Sequence, residues 1–212
     1  NTHLQLGNAV IIKQASGTNK NLLINKFRID GVRNKNISIT GGTWDYDHAS
    51  QTVGGDLRTM SMIIQGVDNL AIKDMFMKNA KKYCYLICDF TNLTVHNITF
   101  DTHSDGLHMQ GPARGIDIRN IKGKTGDDLV SFTIGDFSTY KISQGDFEDI
   151  YVDGLFPNGS LCALKLAGNA PYKFKGVTAE DIYGTTISNG IAVTDDTADL
   201  VGTNVEGLTL RN

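Results

Sequence analysis

Two short acidic turns, Ser104-Asp105-Gly106 and Gly126-Asp127-Asp128, carry residue types suited to proton transfer. Each runs straight into an apolar strand, marked by Leu107 and Met109 in the first case and by Val130, Phe132 and Ile134 in the second. Asp105 and Asp128 stand 23 residues apart, and the apolar segments on either side keep the same step, so the two carboxylates occupy equivalent positions of one repeat. In a parallel solenoid neighbouring coils lie about 4.8 Å apart, which stacks residues one repeat apart. Two charges about 5 Å apart at an effective dielectric near 20 repel by roughly 3 kcal/mol, or about two pK units. Such a cluster keeps a proton near neutral pH. It then offers a protonated carboxyl for a leaving oxygen and an ionised one to activate water, the pair needed for acid-assisted cleavage of a glycosidic bond. Asp beside Gly is also an ordinary turn, but two such turns in equivalent places, the second with an extra Asp, favour a site. Clustered carboxylates also bind calcium, so a metal site stays open on this evidence.

The elements that must position these acids are visible as a repeat. The pattern apolar, any, apolar, any, any, apolar recurs at Leu70/Ile72/Met75, Leu93/Val95/Ile98, Ile116/Ile118/Ile121, Ile150/Val152/Leu155 and Val177/Ala179/Ile182, with shorter forms at Ile37/Ile39 and Leu208/Leu210. First members are separated by 33, 23, 23, 34, 27 and 31 residues, a unit of 23 with insertions. Asp74, Asn97 and Asn120 keep the same step, each just before the third apolar residue, and Asp181 takes that place later. Asn and Asp tolerate the left-handed conformation of a sharp bend, and stacked Asn side chains form hydrogen-bonded ladders. A second strand per unit is expected at 60–64, 84–88, 107–109, 130–134, 161–166 and 191–193. Short alternating strands with Gly-rich corners and no helical period predict an all-β solenoid of about seven coils, a parallel β-helix. Leucine-rich repeats would need a denser Leu framework. The stretches 46–57 and 135–145 account for the long first and fourth steps, and are expected as outward loops walling a groove.

Composition narrows the class. The chain has 212 residues, 40% hydrophobic and 20% charged, with 23 Gly and 3 Pro, which suits one turn-rich globular domain over residues 1–212. A net charge of −3 without a basic cluster argues against nucleic acid as partner. No apolar run is long enough to insert in a membrane, and the start at Asn1 is that expected of a fragment of a longer chain. Cys84 and Cys88 lie four residues apart on one expected strand, roughly 13 Å at about 3.3 Å per residue, too far for a disulfide. With Cys162 they read as buried thiols, which fits folding in a reducing compartment; zinc is not expected without a Cys-x-x-Cys pair or matching His cluster.

SDGLHMQGP at 104–112, followed by IDIRNIKGKTGDDLVSF at 116–132, resembles glycoside hydrolase family 28, the polygalacturonase group, and its relatives among bacteriophage tailspikes. GGTWDYD at 41–47 adds a weaker match. The resemblance implies a right-handed parallel β-helix that hydrolyses polysaccharide with inversion, without an obligatory cofactor or metal. It places Asp105 on the Asp of an Asn-Thr-Asp motif, and Asp127 and Asp128 on an Asp-Asp pair. One of the pair serves as general acid, the others as base and support. His103 stands where the family has Asn, no Gly-His-Gly follows Asp128, and Arg-Ile-Lys is echoed only by Leu164-Lys165-Leu166. Those groups hold a substrate carboxylate, so their loss points to a glycan other than pectin, or to a coil kept as a binding surface.

His103, His108 and Lys165 are the candidate substrate contacts. His108 alternates with Leu107 and Met109, so it should face outward beside Asp105, touching sugar or tuning the carboxylates; Lys165 faces outward by the same alternation, where simple solvation competes with a binding role. Arg114 and Arg119 fall on another face, Trp44 and Tyr46 either stack on sugars or cap the core, and Asp195-Asp196 marks a turn. The expected partner is a polysaccharide or cell-surface glycan. The alternatives are a non-catalytic receptor-binding tail protein adsorbing a glycan or teichoic acid, and a polysaccharide lyase on the same fold. The tailspike likeness further implies a homotrimer on a virion tail or in the extracellular space.

Overall fold

Left-handed asparagines and aspartates bend this chain into its coils. Asp74, Asn97, Asn120 and Asp181 have φ of +57°, +59°, +52° and +54°, a conformation that Asn and Asp adopt more readily than other side-chain-bearing residues. Each such residue turns an extended segment by one corner without breaking the sheet hydrogen bonds on either side. The computed structural model describes residues 1–52, 54–195 and 202–212.

Short strands open the chain: β1 (Thr2–Gln5), β2 (Ile11–Lys13), β3 (Leu23–Ile24), β4 (Asn34–Thr40) and β5 (Thr43–Asp45). Between β3 and β4 a single helical turn, α1 (Phe27–Asp30), lays the Phe27 ring against the bare Gly66. The long bent strands follow, namely β6 (Met62–Lys78), β7 (Tyr85–Asp101) and β8 (Leu107–Lys124), then β9 (Val130–Thr133) and β10 (Phe147–Gly168). The chain closes with β11 (Phe174–Ile182), β12 (Thr185–Asp195) and β13 (Val205–Arg211). Every pairing among the described strands is parallel, which makes the fold a parallel β-helix.

The repeat is the register. Ile37, Leu70, Leu93, Ile116, Ile150, Val177 and Leu208 pair one above the next, each the first apolar residue of its unit. Met62, Tyr85, Leu107, Val130, Leu164 and Ile191 form a second column on the expected second strands, and Leu23 adds a level below them. Inward side chains fuse into one continuous core, in which Phe132 packs edge-on to Phe147 and Phe147 stacks on Phe174. Each large aliphatic buried this way contributes roughly 1.5–3 kcal/mol.

Two hydrogen-bonded side-chain columns run along the coil. Asn97 Nδ2 donates to Asp74 Oδ1 and Asn120 Nδ2 to Asn97 Oδ1, both at 2.8 Å, which is the ladder read from the spacing. A second one, unforeseen, joins Asn36, Asn69 and Asn92.

Trp44 and Tyr46 are buried, with the indole donating to Gly41 O and the phenol to Arg58 O; neither ring is free to stack on a sugar. The three cysteines are buried free thiols. Asp195 ends β12, while Asp196 lies outside the described residues.

Candidate active site

Asp105 sits in the turn between β7 and β8, and Asp127 and Asp128 in the turn between β8 and β9. The turns are locked to one another by the ladder: Gly106 N donates to Asp128 O and Leu107 N to Leu129 O, each at 3.0 Å. Their glycines are needed for close approach. A Cβ on Gly106 would meet Leu129 O at 2.7 Å, and one on Gly126 would meet His103 O at 2.2 Å. In-register stacking therefore delivers the three acids to one place, where one oxygen of each lies within 4.8 Å of the others.

Each acid has a different environment. Asp105 is buried, and its Oδ2 lies 2.6 Å from His108 Nδ1. Asp128 is buried, with Oδ2 3.2 Å from Lys165 Nζ and Oδ1 without a hydrogen-bond partner among the described residues. Asp127 is the one that keeps partial access to solvent. Burial, with the charges of Asp105 and Asp128, raises the Asp127 carboxyl to about 6 against the opposing pull of Lys165 and Lys82. Burial and the Asp105 charge push Asp128 up as well, more strongly than Lys165 pulls it down. Asp127 and Asp128 titrate together and hold a proton to higher pH than an ordinary carboxylate would.

His108 does face outward from the coil, yet it is buried. The loop over residues 135–145 covers it, and its ring stacks on Tyr83 with centroids 3.8 Å apart and planes 2° from parallel. Nε2 approaches Asp136 Oδ2 at 3.1 Å, but out of line for a hydrogen bond. Burial alone would lower the His108 pKa; the Asp105 and Asp136 carboxylates on either side outweigh it and raise it to about 9. Asp136 in turn is held below the ordinary carboxylate range: burial would raise it, but His108, the Phe137 N–H and the Tyr83 hydroxyl prevail. Gln110 Nε2 donates to Asp136 Oδ2 and to Tyr140 O, each at 3.0 Å, and its Oε1 accepts from Ile142 N at 2.8 Å, so one side chain ties this network to the loop.

Lys165 is half-buried and paired with Asp128, which displaces the solvated reading. Burial opposes its charge, but the surrounding carboxylates outweigh burial and raise its pKa. His103 is exposed and packs against His48, with centroids 4.0 Å apart; it does not line the acidic cleft. Arg114 and Arg119 pair with Asp149 and Asp117 on another face, as expected of residues flanking the neighbouring strand.

Tyr83, Gln110, Asp136 and Lys82 were not found by sequence reasoning. Gln110 shares the outward alternation of His108, and that was the available signal. Lys82 stands over the Tyr83 ring at 4.8 Å and lines the cleft beside Asp127. A wider cavity of about 570 Å³ at the first coils, between Leu4, Leu23, Ile37 and Ile39, has no carboxylate in its wall and cannot perform this chemistry.

The three acids are the set that would also hold a hard cation such as calcium. Lys165 and the His108 imidazolium already neutralise part of their charge, which fits proton transfer better than cation binding.

The model of the family described as "Glycosyl hydrolases family 28" matches residues 4–149. The chain belongs to glycosyl hydrolases family 28. The matched span contains Asp105, His108, Asp127, Asp128 and Asp136, while Lys165 lies beyond it. Within the family, a curated polygalacturonase from Brassica napus is 29% identical over 126 residues, covering 53% of this chain and 29% of the relative. The chain thus spans under a third of that relative's length. No solved structure matches it.

Proposed function

We propose that the protein hydrolyses glycosidic bonds of a polysaccharide, at the cleft of Asp105, Asp127 and Asp128, with residues 1–212 forming one β-helical domain. The observation that carries this is the contrast among the acids. Asp127, raised to about 6 at the cleft mouth, keeps its proton up to about that pH, beside two buried carboxyl groups that have cations against them. Asp127 donates that proton to the glycosidic oxygen as the bond from the anomeric carbon breaks. A water attacks that carbon and passes its proton to Asp128, whose Oδ1 has no other partner among the described residues, with Asp105 sharing the water. One direct displacement gives inversion, the outcome that the family resemblance implies.

The acids are closer than the roughly 6.5–9.5 Å of two-carboxylate inverting sites. Inversion here requires the water to sit between Asp105 and Asp128 with Asp127 on the far side of the bond, so the product anomer is a direct check. Polygalacturonate is the first acidic glycan to try, since a relative is a polygalacturonase and Lys82 and Lys165 supply cations. The tailspike setting and a homotrimer belong to the same proposal, and the sedimentation of the intact protein tests the latter.

The test is the release of reducing ends from polygalacturonate and a panel of capsular and wall glycans, with early product anomers read by proton NMR. New reducing ends with inverted anomers, lost in Asp128→Asn, are expected. Binding without new ends would favour a glycan-adsorbing protein. Unsaturated products absorbing in the ultraviolet, lost on chelation, would mean a lyase.

A further inference from the structure

The ladder that begins at Asp74 and passes through Asn97 and Asn120 loses its next rung to Gly154, and resumes in register at Asp181. The chain keeps the bend there, with φ +75° at Gly154, and no rung side chain continues the ladder; the edge of the Phe156 ring lies 3.3 Å from where a Cβ would stand. Two coil spacings separate Asn120 from Asp181, roughly 9–10 Å, so the missing rung leaves a shallow notch that the Phe156 ring borders. Asn120 bounds it with an amide oxygen that receives no donor from Gly154, and Asp181 bounds it with a carboxylate. Phe156 and Tyr183 stand one coil apart, just past the paired Leu155 and Ile182, and are 39% and 52% exposed. Together with Arg119 and Asp153 these residues enclose a cavity of about 350 Å³, which shares no wall residue with the acidic cleft.

Two large aromatic rings left in solvent on successive coils, beside amide and carboxylate acceptors, match the needs of a sugar ring. Its apolar face covers an aromatic and its hydroxyls donate to the acceptors. Charge selects the kind of sugar. The guanidinium of Arg119 is already bonded to Asp117 at 2.7 Å, which leaves Asp153 and Asp181 to repel an acidic residue. We propose that this notch is a second glycan-binding site, which takes a neutral pyranose of the polysaccharide and holds the polymer on a face separate from the cleft. The choice of a glycan as ligand rests on the proposed function; the geometry of the notch does not.

The experiment uses the intact protein with cellotetraose, xylotetraose, β-1,4-galactotetraose and trigalacturonate as probes, reading hydroxyl-radical footprints of Phe156 and Tyr183 and affinity by calorimetry. At least one neutral tetrasaccharide should protect both rings. Gly154→Asn restores the missing rung in the conformation that Asn97 and Asn120 already adopt, and its Cβ would meet the Phe156 ring at 3.3 Å, which the exposed ring can yield. It should weaken that binding about tenfold or more, with cleavage of short soluble substrates unchanged. Should Gly154→Asn not fold, Phe156→Ser/Tyr183→Ser serves in its place, with the same loss expected. No protection by any neutral probe, stronger protection by trigalacturonate, or undiminished binding by the variant would each overturn the proposal. Absence of cleavage would instead sink the hydrolase reading and leave the footprint standing.

Discussion

His108 Nδ1 lies 2.6 Å from Asp105 Oδ2 while the same ring faces Asp136 and stacks on Tyr83, so an imidazolium is walled in by two carboxylates and a phenol. Burial pushes the Tyr83 phenol well above its ordinary value, and the same two carboxylates add to it, so it remains a neutral donor to Asp136.

This sandwich predicts a pH-dependent stability. The folded pKa of His108, about 9, is above its unfolded value near 6.5, so its contribution is fully present below about pH 6.5 and is lost as pH rises through about 9. Urea midpoints should therefore fall between pH 6.5 and 9.5 in the wild type. In His108→Gln that fall should flatten, from a lower starting stability; an unchanged slope in the variant would count against the sandwich.

Asp127→Asn should lower kcat by about 10²–10⁴-fold on natural glycans, and far less on aryl glycosides whose leaving group needs no proton. In the wild type, activity should fall as pH rises through about 6, when Asp127 gives up its proton. The same substitution should stabilise the fold at pH 7, because a carboxyl with a raised folded pKa loses stability as pH rises through that value. Each kcal/mol released appears as roughly 2–4 °C in Tm. A variant with full activity on both substrate types would remove Asp127 from the role of acid.

Lys165→Met takes away the cation that lowers Asp127 and Asp128. Activity should persist at reduced level, with its alkaline limb moved to higher pH. A limb that moves down, or does not move, would show that Lys165 acts on substrate and not on the acids.

Asn97→Ala removes two ladder hydrogen bonds and puts a side chain without local hydrogen bonding at φ +59°. The cost should be about 3–4 kcal/mol, from roughly 1 kcal/mol per bond plus 1–2 for the conformation. Asn97→Gly loses the bonds but not the conformation, so it should be milder. Equal losses in urea denaturation would mean that the bend carries no strain.

Much of this was legible in the chain. The step of 23 residues gave the register, because a coil closes only when each apolar residue lands above its equivalent, and it placed Asp105 above Asp128. It also gave the first ladder. Alternation correctly put His108 outside the coil but could not say that the loop at 135–145 would bury it, since burial there depends on contacts between segments far apart in sequence. Asp136 was missed for the same reason: its significance lies in what Tyr83 and Gln110 bring to it. Trp44 and Tyr46 stayed open between sugar stacking and covering the core, because nothing local distinguishes a ring that covers a core from one that waits for a sugar.

Gln110 grips the 135–145 loop by its Oε1 and Asp136 by its Nε2, so the positive charge behind the acids is sustained by a surface segment as well as by Asp105 of the coil. Exchanging those eleven residues would retune the working acidity of the cleft while every winding stayed as it is. The scaffold thus keeps a permanent frame and an interchangeable dial.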